Sequence, residues 1–185
     1  MTMMRSILFA VLGFAFISAT EAQHACLWQK GQLQDVGSLG GTSSASGIND
    51  AGQVTGYSFL ADGITYHAFL WSADTGMADL GAPAGYTNSR AYGINLLGHV
   101  VAVAHDIAGN TTAFFWSAES GFVAIGEANI VLSATAINDH DDVTGTFYSG
   151  GVPHAFLWSP QGSLRDLGIA PNGASSYGLA INNRL

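Results

Sequence analysis

The chain has 185 residues, of which 13 are acidic, 5 are basic and 24 are glycine, and its formal net charge is -8. An acidic surface of this kind repels phosphate backbones, so nucleic acid and anionic lipid are poor candidates as partners. Cys26 is the only cysteine, which excludes an internal disulfide bridge.

The first 22 residues are typical of a secretory signal peptide. Arg5 precedes an apolar run of 11 residues, and small residues at Thr20 and Ala22 suit cleavage after Ala22. The run is too short to span a membrane, and no later apolar stretch reaches about 18 residues. We therefore predict a signal peptide at residues 1–22, a repeat domain at residues 23–185, a secreted or cell-surface protein, and no membrane span in the mature chain.

From residue 24 onward, the chain repeats a set of short words four times. The word His-Ala-Phe-Leu-Trp-Ser begins at His67 and at His154, and variants of it begin at His24 and Thr112. An Asp-Leu-Gly word and a Ser-x-Ala-x-Gly-Ile-Asn word follow in phase. A period of about 40–45 residues is typical of four-stranded propeller blades, although two-helix repeats share it. The repeated positions interpreted as structural are His24, Trp28, His67, Phe69, Trp71, Phe114, Trp116, His154, Phe156, Trp158, Asn49, Asn95, Asn138 and Asn182.

Composition favours strands over helices within each repeat. Glycine is abundant, Glu and Lys are few, and the apolar runs are rich in Val, Ile, Phe, Trp, Tyr and Thr. Turn residues lie between the runs and suit tight hairpins. One repeat is predicted to run as strands at residues 43–49, 53–58, 66–72 and 77–80, with the first strand innermost.

The predicted fold class is therefore all-β: a propeller-like array of four-stranded antiparallel blades, with three complete repeats and partial first and last units. A fourth inner strand is predicted at residues 175–182, and no Gly-x-Val-x-Gly strand follows it. This leaves three alternatives open, namely a closed four-blade ring, a truncated member of a larger propeller, or self-association of two chains through their open end blades.

The four words, recurring in order from residue 23 to residue 185, resemble the HAF family of extracellular repeats, named for its His-Ala-Phe word. The resemblance implies a secreted or surface bacterial protein with a propeller-like fold, and it implies no catalytic residue. The chain departs from the pattern at Cys26, Thr112 and Ala124, where other repeats have Phe, His and Asp.

The sequence contains no catalytic or cofactor-binding motif, so we predict no catalytic residue, no cofactor and no metal. Asp139, Asp141 and Asp142 are weak candidates for a hard cation, but the equivalent turns of other repeats lack these carboxylates. The recurring histidines are interpreted as structural hydrogen-bonding groups, and Cys26 as a packing residue.

Loops on a repetitive scaffold commonly carry binding. The variable loops lie at residues 60–65, 82–89 and 148–153, and the last two contain Tyr86 and Tyr148 as surface aromatics, with Asn88 beside them. We therefore predict a non-catalytic extracellular binding or scaffold module for a carbohydrate or protein ligand. The alternatives are a polysaccharide-acting hydrolase or lyase with its site on the axis, and an inactive fragment of a longer repeat protein.

Overall fold

The structure is a computed structural model that describes residues 23–127 and 131–184, so the predicted signal peptide lies outside the described residues. These residues form strands and no helix, which confirms the predicted all-β fold. None of them belongs to a helix with the length and hydropathy needed to cross a membrane. The strands are β1 Ala25–Gln29, β2 Gln32–Gly37, β3 Gly40–Ile48, β4 Val54–Leu60, β5 Tyr66–Ser72, β6 Gly76–Gly81, β7 Asn88–Ile94, β8 Val100–His105, β9 Thr111–Ser117, β10 Gly121–Ala124, β11 Val131–Ile137, β12 Val143–Ser149, β13 Val152–Trp158 and β14 Arg165–Asp166.

The strands form four antiparallel sheets that follow one another along the chain. Sheet 1 contains β1 and β2, sheet 2 contains β3 to β6, sheet 3 contains β7 to β10, and sheet 4 contains β11 to β14. Within each sheet, every strand pairs with its neighbour in sequence, because the turns between them are short and rich in Gly, Asn and Asp. The predicted strand at residues 66–72 coincides with β5, and the other three strands predicted for that repeat overlap β3, β4 and β6.

The prediction of an inner strand at residues 175–182 is wrong, because the structure assigns no strand there. The segment is extended and lies along sheet 4, where Ser176 N donates to Pro153 O at 2.9 Å and Gly178 N donates to Gly145 O at 3.1 Å. Among the described residues, no strand pairs with this segment to complete a ladder. The strand pattern is therefore present in the sequence, but the two backbone hydrogen bonds to sheet 4 do not extend into the ladder that would make the segment a strand.

The first strand of each four-stranded sheet carries an irregularity at the same place in the repeat. Register shifts fall between Ala45 and Gly47, Ala91 and Gly93, and Ala134 and Ala136. Nearby, the backbone of the first strand approaches the second so closely that a Cβ at Gly56 or Gly145 would collide with a carbonyl oxygen. Glycine is required at these two positions by that approach. The shared irregularity shows that the sequence repeat is also a structural repeat.

Buried side chains join the sheets in chain order. One core cluster combines residues of sheets 1 and 2, a second combines sheets 2 and 3, and a third combines sheets 3 and 4. The repeated phenylalanines Phe69, Phe114 and Phe156 are all buried. Each sheet therefore buries its faces against its neighbours in the chain, as a strand with two largely apolar faces requires.

The four tryptophans occupy equivalent places in their sheets, but they are not equally covered. Trp71, Trp116 and Trp158 pair with valines of the preceding strand, at Val54, Val100 and Val143 respectively. Trp71 is 5% exposed, whereas Trp28 of the two-stranded sheet 1 is 42% exposed. Trp28 has no preceding strand among the described residues, which accounts for its exposure.

Candidate functional site

Asparagines at one repeat position connect successive sheets, and together Asn49, Asn95, Asn138 and Asn182 form what we call the asparagine ladder. Asn49 Nδ2 donates to Asn95 O at 2.8 Å, and Asn95 Nδ2 donates to Asn138 O at 3.0 Å. Asn138 Nδ2 in turn donates to Asn182 O at 3.0 Å. The first three side chains are buried, and the bonds to Asn95 O and Asn138 O are buried as well, so water does not readily replace these two bonds.

Each buried ladder asparagine also closes the turn that follows it. Asn95 Oδ1 accepts hydrogen bonds from the backbone amides of Leu97 and His99, at 3.1 and 3.0 Å. Asn49 and Asn138 make the same two kinds of bond within their own turns. One amide side chain therefore shapes the turn and binds the next sheet, which explains why this position repeats.

The recurring histidines pair with aspartates of the same sheet. The Nδ1 atoms of the three histidines lie 2.8 to 2.9 Å from the carboxylates, in the pairs His24 with Asp35, His67 with Asp79 and His154 with Asp166. The hydrogen bond from His24 is the main cause that lowers the pKa of Asp35. For Asp166, the backbone amide of Gly168 is the first cause of a lowered pKa, and the side-chain hydrogen bond with His154 is the second.

In sheet 3, the repeated histidine is replaced by Thr112 and the repeated aspartate by Ala124. The two substitutions belong together, because they replace both members of one histidine and aspartate pair. Thr112 Oγ1 instead accepts a hydrogen bond from the hydroxyl of Tyr86 at 2.7 Å. The sequence shows the two substitutions separately, and only the register of the sheet shows that they belong together.

Serines on the first strands supply a second polar link between sheets. Ser89 Oγ accepts from Ala68 N at 2.7 Å and donates to Gly81 O at 2.5 Å, so it joins sheet 3 to sheet 2. Ser43 and Ser176 make the equivalent pair of bonds. At the corresponding position of sheet 4 the sequence has Leu132. The junction of sheets 3 and 4 is instead joined by the largest of the three apolar clusters.

The three carboxylates considered for a metal engage different partners. Asp141 Oδ1 lies 2.7 Å from His99 Nδ1, and Asp139 Oδ1 accepts from a backbone amide of sheet 3. Asp142 Oδ2 accepts from Asn138 within its own turn at 3.1 Å. No group of three metal-ligating side chains converges within residues 23–127 and 131–184. The acidic turn thus fastens sheet 4 to sheet 3.

Cys26 lies half-buried on β1 and forms no disulfide. Burial raises the pKa of its thiol, and the nearby charge of Asp35 raises it further. Both causes disfavour the thiolate, which is the reactive form of cysteine. The local environment therefore disfavours a reactive thiolate, and the packing role of Cys26 stays a prediction.

Two of the loop residues considered for binding are engaged in the fold. Tyr86 is half-buried and holds Thr112, and Asn88 Oδ1 accepts from Tyr66 N at 3.0 Å, which fixes the start of β5 beside the start of β7. Tyr148 lies exposed on β12. Tyr86 and Asn88 therefore position the loops at residues 60–65 and 82–89.

A cluster that the sequence prediction missed lies at the junction of sheets 2 and 3. The guanidinium carbon of Arg90 lies 4.5 Å from the ring centroid of Tyr57 and 5.2 Å from that of Tyr92. Tyr66 packs edge-on against Tyr57 and against Phe59, with centroid separations of 5.7 and 5.4 Å. All five side chains are half-buried. We call Tyr57, Phe59, Tyr66, Arg90 and Tyr92 the Arg90 cluster.

The cluster contains polar groups that the protein leaves without partners. In the described part of the chain, every ion pair involves a histidine, so Arg90 has no carboxylate, and its buried Nε atom has no hydrogen-bond acceptor. The pKa of Tyr66 is raised, and burial is the first cause. Tyr92 and Tyr57 raise this pKa further, whereas Arg90 lowers it. The cation and the rings are neighbours, since Arg90 lies over Tyr57 and Tyr92, and Tyr66 packs edge-on against Tyr57.

The cluster occurs at one junction only, although its positions exist in every repeat. In the other repeats, these positions hold small or aliphatic residues, or one aromatic residue without the others. The positions equivalent to Arg90 are Ser44, Ser133 and Tyr177, those equivalent to Tyr92 are Ser46, Thr135 and Leu179, and those equivalent to Tyr57 are Val103 and Thr146. A search for departures from the repeat, rather than for the repeat itself, would have found the cluster in the sequence.

A cleft of about 420 Å³ lies near the asparagine ladder and is lined in part by Gln53, Trp71, Leu96 and Leu97. Gln53 Oε1 already accepts a hydrogen bond from Asn49 at 2.8 Å, and Trp71 is buried. The residues lining it include no basic side chain. The Arg90 cluster, with its unpaired cation, is therefore the stronger candidate site.

No family model matches the chain, and a search of curated proteins found no similar protein. The resemblance to the HAF family therefore stays a prediction that rests on the repeated words.

Proposed function

We propose that the chain is a non-catalytic, extracellular binding module of the HAF type, built as a propeller-like array. Its repetitive sheets provide a rigid frame, and the Arg90 cluster provides the binding surface. The signal peptide predicted at residues 1–22 supports export.

The sheet arrangement supports the propeller-like part of the proposal. Three sheets have four strands in simple consecutive order, and the apolar clusters join each sheet to the next along the chain. A fan of four-stranded sheets with small residues on the first strands is the architecture of propeller blades. Ser44, Ala45 and Ser46 on β3 are small residues of this kind.

The unpaired guanidinium of Arg90 is the observation that carries the binding function. The other described Lys and Arg side chains also form no ion pair, but among the described residues Arg90 alone buries a side-chain N–H donor, Nε, that has no acceptor. Its neighbours are aromatic rings that are half-exposed rather than fully packed. Arginine and tyrosine are the residue types enriched where proteins bind partners.

Binding and turnover should be measured on the same set of polysaccharides, by glycan array and by release of reducing ends. Binding without turnover is the expected result, because the sequence contains no catalytic motif. Turnover that is abolished by a single carboxylate substitution would contradict the proposal and favour a hydrolase or lyase.

A further inference from the structure

We propose that the Arg90 cluster recognises a uronic acid, the carboxylate-bearing sugar of an acidic polysaccharide. This inference rests on the proposed binding function and names its ligand class. The carboxylate would meet the guanidinium of Arg90, and the sugar ring would lie against the tyrosine rings.

The charge of the cluster selects a carboxylate. A guanidinium presents planar, paired N–H donors that match the two oxygens of a carboxylate. The other described basic residues are Lys30, Arg165 and Arg184, which lie on other parts of the chain. One cation on a protein of net charge -8 suits a ligand with one negative charge per residue rather than a dense polyanion.

The aromatic side chains select a sugar rather than a simple carboxylate. Tyrosine combines an apolar ring with a polar hydroxyl, so it contacts both the C–H face and the hydroxyls of a pyranose. Among the described residues, Tyr86 uses its hydroxyl within the fold, whereas the hydroxyls of Tyr57, Tyr66 and Tyr92 make no hydrogen bond to the protein. A peptide carboxylate would leave these hydroxyls without ligand partners.

The cluster occurs only once in the repeat array, and this determines where the ligand would bind. Structural groups of this protein recur, since the ladder bond is made by three asparagines and the serine link by three serines. The combination of Tyr57, Arg90 and Tyr92 occurs only between sheets 2 and 3. One site per chain is therefore expected.

The test is calorimetric titration of the full chain with a galacturonate trimer, with a galactose trimer of the same length as the neutral control. We expect the acidic trimer to bind with a stoichiometry of about one per chain, and the neutral trimer to bind far more weakly. Arg90→Gln should weaken binding by about 10- to 100-fold, because it removes a charge-assisted hydrogen-bonding pair. Arg90→Lys, which keeps the charge without the planar fork, should lie between Arg90→Gln and the wild type.

Arg165→Gln is the matched control, because it removes the same charge from an exposed position on β14. It should change affinity by no more than about twofold. Thermal unfolding of each variant, followed by circular dichroism, identifies any variant that loses binding because it fails to fold. Arg90→Lys keeps the proposal testable if Arg90→Gln does not fold.

Four results would overturn the inference. Equal affinity for the acidic and neutral trimers, or no effect of Arg90→Gln, would reject this ligand and site while leaving a binding module in place. Binding of an oligoglutamate peptide that depends on Arg90 would show that the carboxylate alone is recognised. Absence of binding to every glycan on the array would instead reject the proposed carbohydrate-binding function itself.

Discussion

The asparagine ladder and the Arg90 cluster both cross the junction of sheets 2 and 3, yet they follow opposite rules. Asn49, Asn95 and Asn138 repeat in residue type, geometry and burial, and all their bonding groups are satisfied by the protein. Arg90 and Tyr57 occur once, are half-buried, and leave a cation without a counter-ion.

This difference distinguishes residues kept for structure from residues kept for binding in a repeat protein. A residue that joins one sheet to the next is needed at every junction, so it recurs. A residue that contacts a ligand is needed once, so it breaks the repeat. The predictions below test whether the recurring positions determine stability and whether the cluster is dispensable for it.

The largest expected loss of stability comes from a recurring aromatic residue. Trp71→Ala should lower the free energy of unfolding by about 3–5 kcal/mol, because it removes a large side chain that is only 5% exposed. Trp28→Ala is the matched control, and it should cost about 1–2 kcal/mol since Trp28 is 42% exposed. Chemical denaturation measures both values. Equal losses would show that the two tryptophans are not covered differently.

The ladder should give the next largest effect. Asn95→Ala removes four hydrogen bonds from a side chain that is 3% exposed, and it should lower the free energy of unfolding by about 2–4 kcal/mol. Asn182→Ala should cost less than about 1 kcal/mol, because that side chain is exposed and the ladder bond uses its backbone carbonyl. A loss for Asn182→Ala that matched Asn95→Ala would contradict the ladder.

The smallest effect is the acid dependence of the histidine and aspartate pairs. The pKa values of Asp35 and Asp166 are lowered in the folded protein. Their stabilisation is therefore present above the ordinary aspartate pKa of about 4, and it is lost as the pH falls through the lowered values. An Asp35→Asn/Asp166→Asn variant should be slightly less stable than the wild type at neutral pH, and the gap should close below about pH 4. A gap that stays constant down to acid pH would contradict this assignment.

Much of the frame could be predicted from the sequence because its signals are local. The alternation of apolar residues along 66–72 and the Asn, Asp and Gly turns define hairpins without knowledge of distant contacts. The prediction of a strand at residues 175–182 was wrong because it, too, relied on local signals alone. Its local pattern is intact, but a strand also needs a regular ladder of backbone hydrogen bonds, and this segment makes two such bonds to sheet 4 without forming a ladder.

The sequence contains the departures from the repeat at Tyr57, Arg90 and Tyr92, but it does not show that these residues meet, because the candidate site combines faces of two different sheets. Tyr57 and Arg90 are separated by more than a strand in sequence, and each looks unremarkable within its own strand. Their contact depends on which face of sheet 2 meets the first strand of sheet 3. The joint loss of His and Asp at Thr112 and Ala124 was hidden for a similar reason, because strand register decides which residues are partners.

The most direct test of this separation measures stability and ligand affinity together in Asn95→Ala and Arg90→Gln. Asn95→Ala is expected to lose about 2–4 kcal/mol of unfolding free energy while the folded protein keeps its galacturonate affinity within about threefold. Arg90→Gln is expected to lose at least about tenfold in affinity and less than about 2 kcal/mol in stability, since it removes two cation–π contacts. A result in which both variants change both quantities to the same degree would contradict the account.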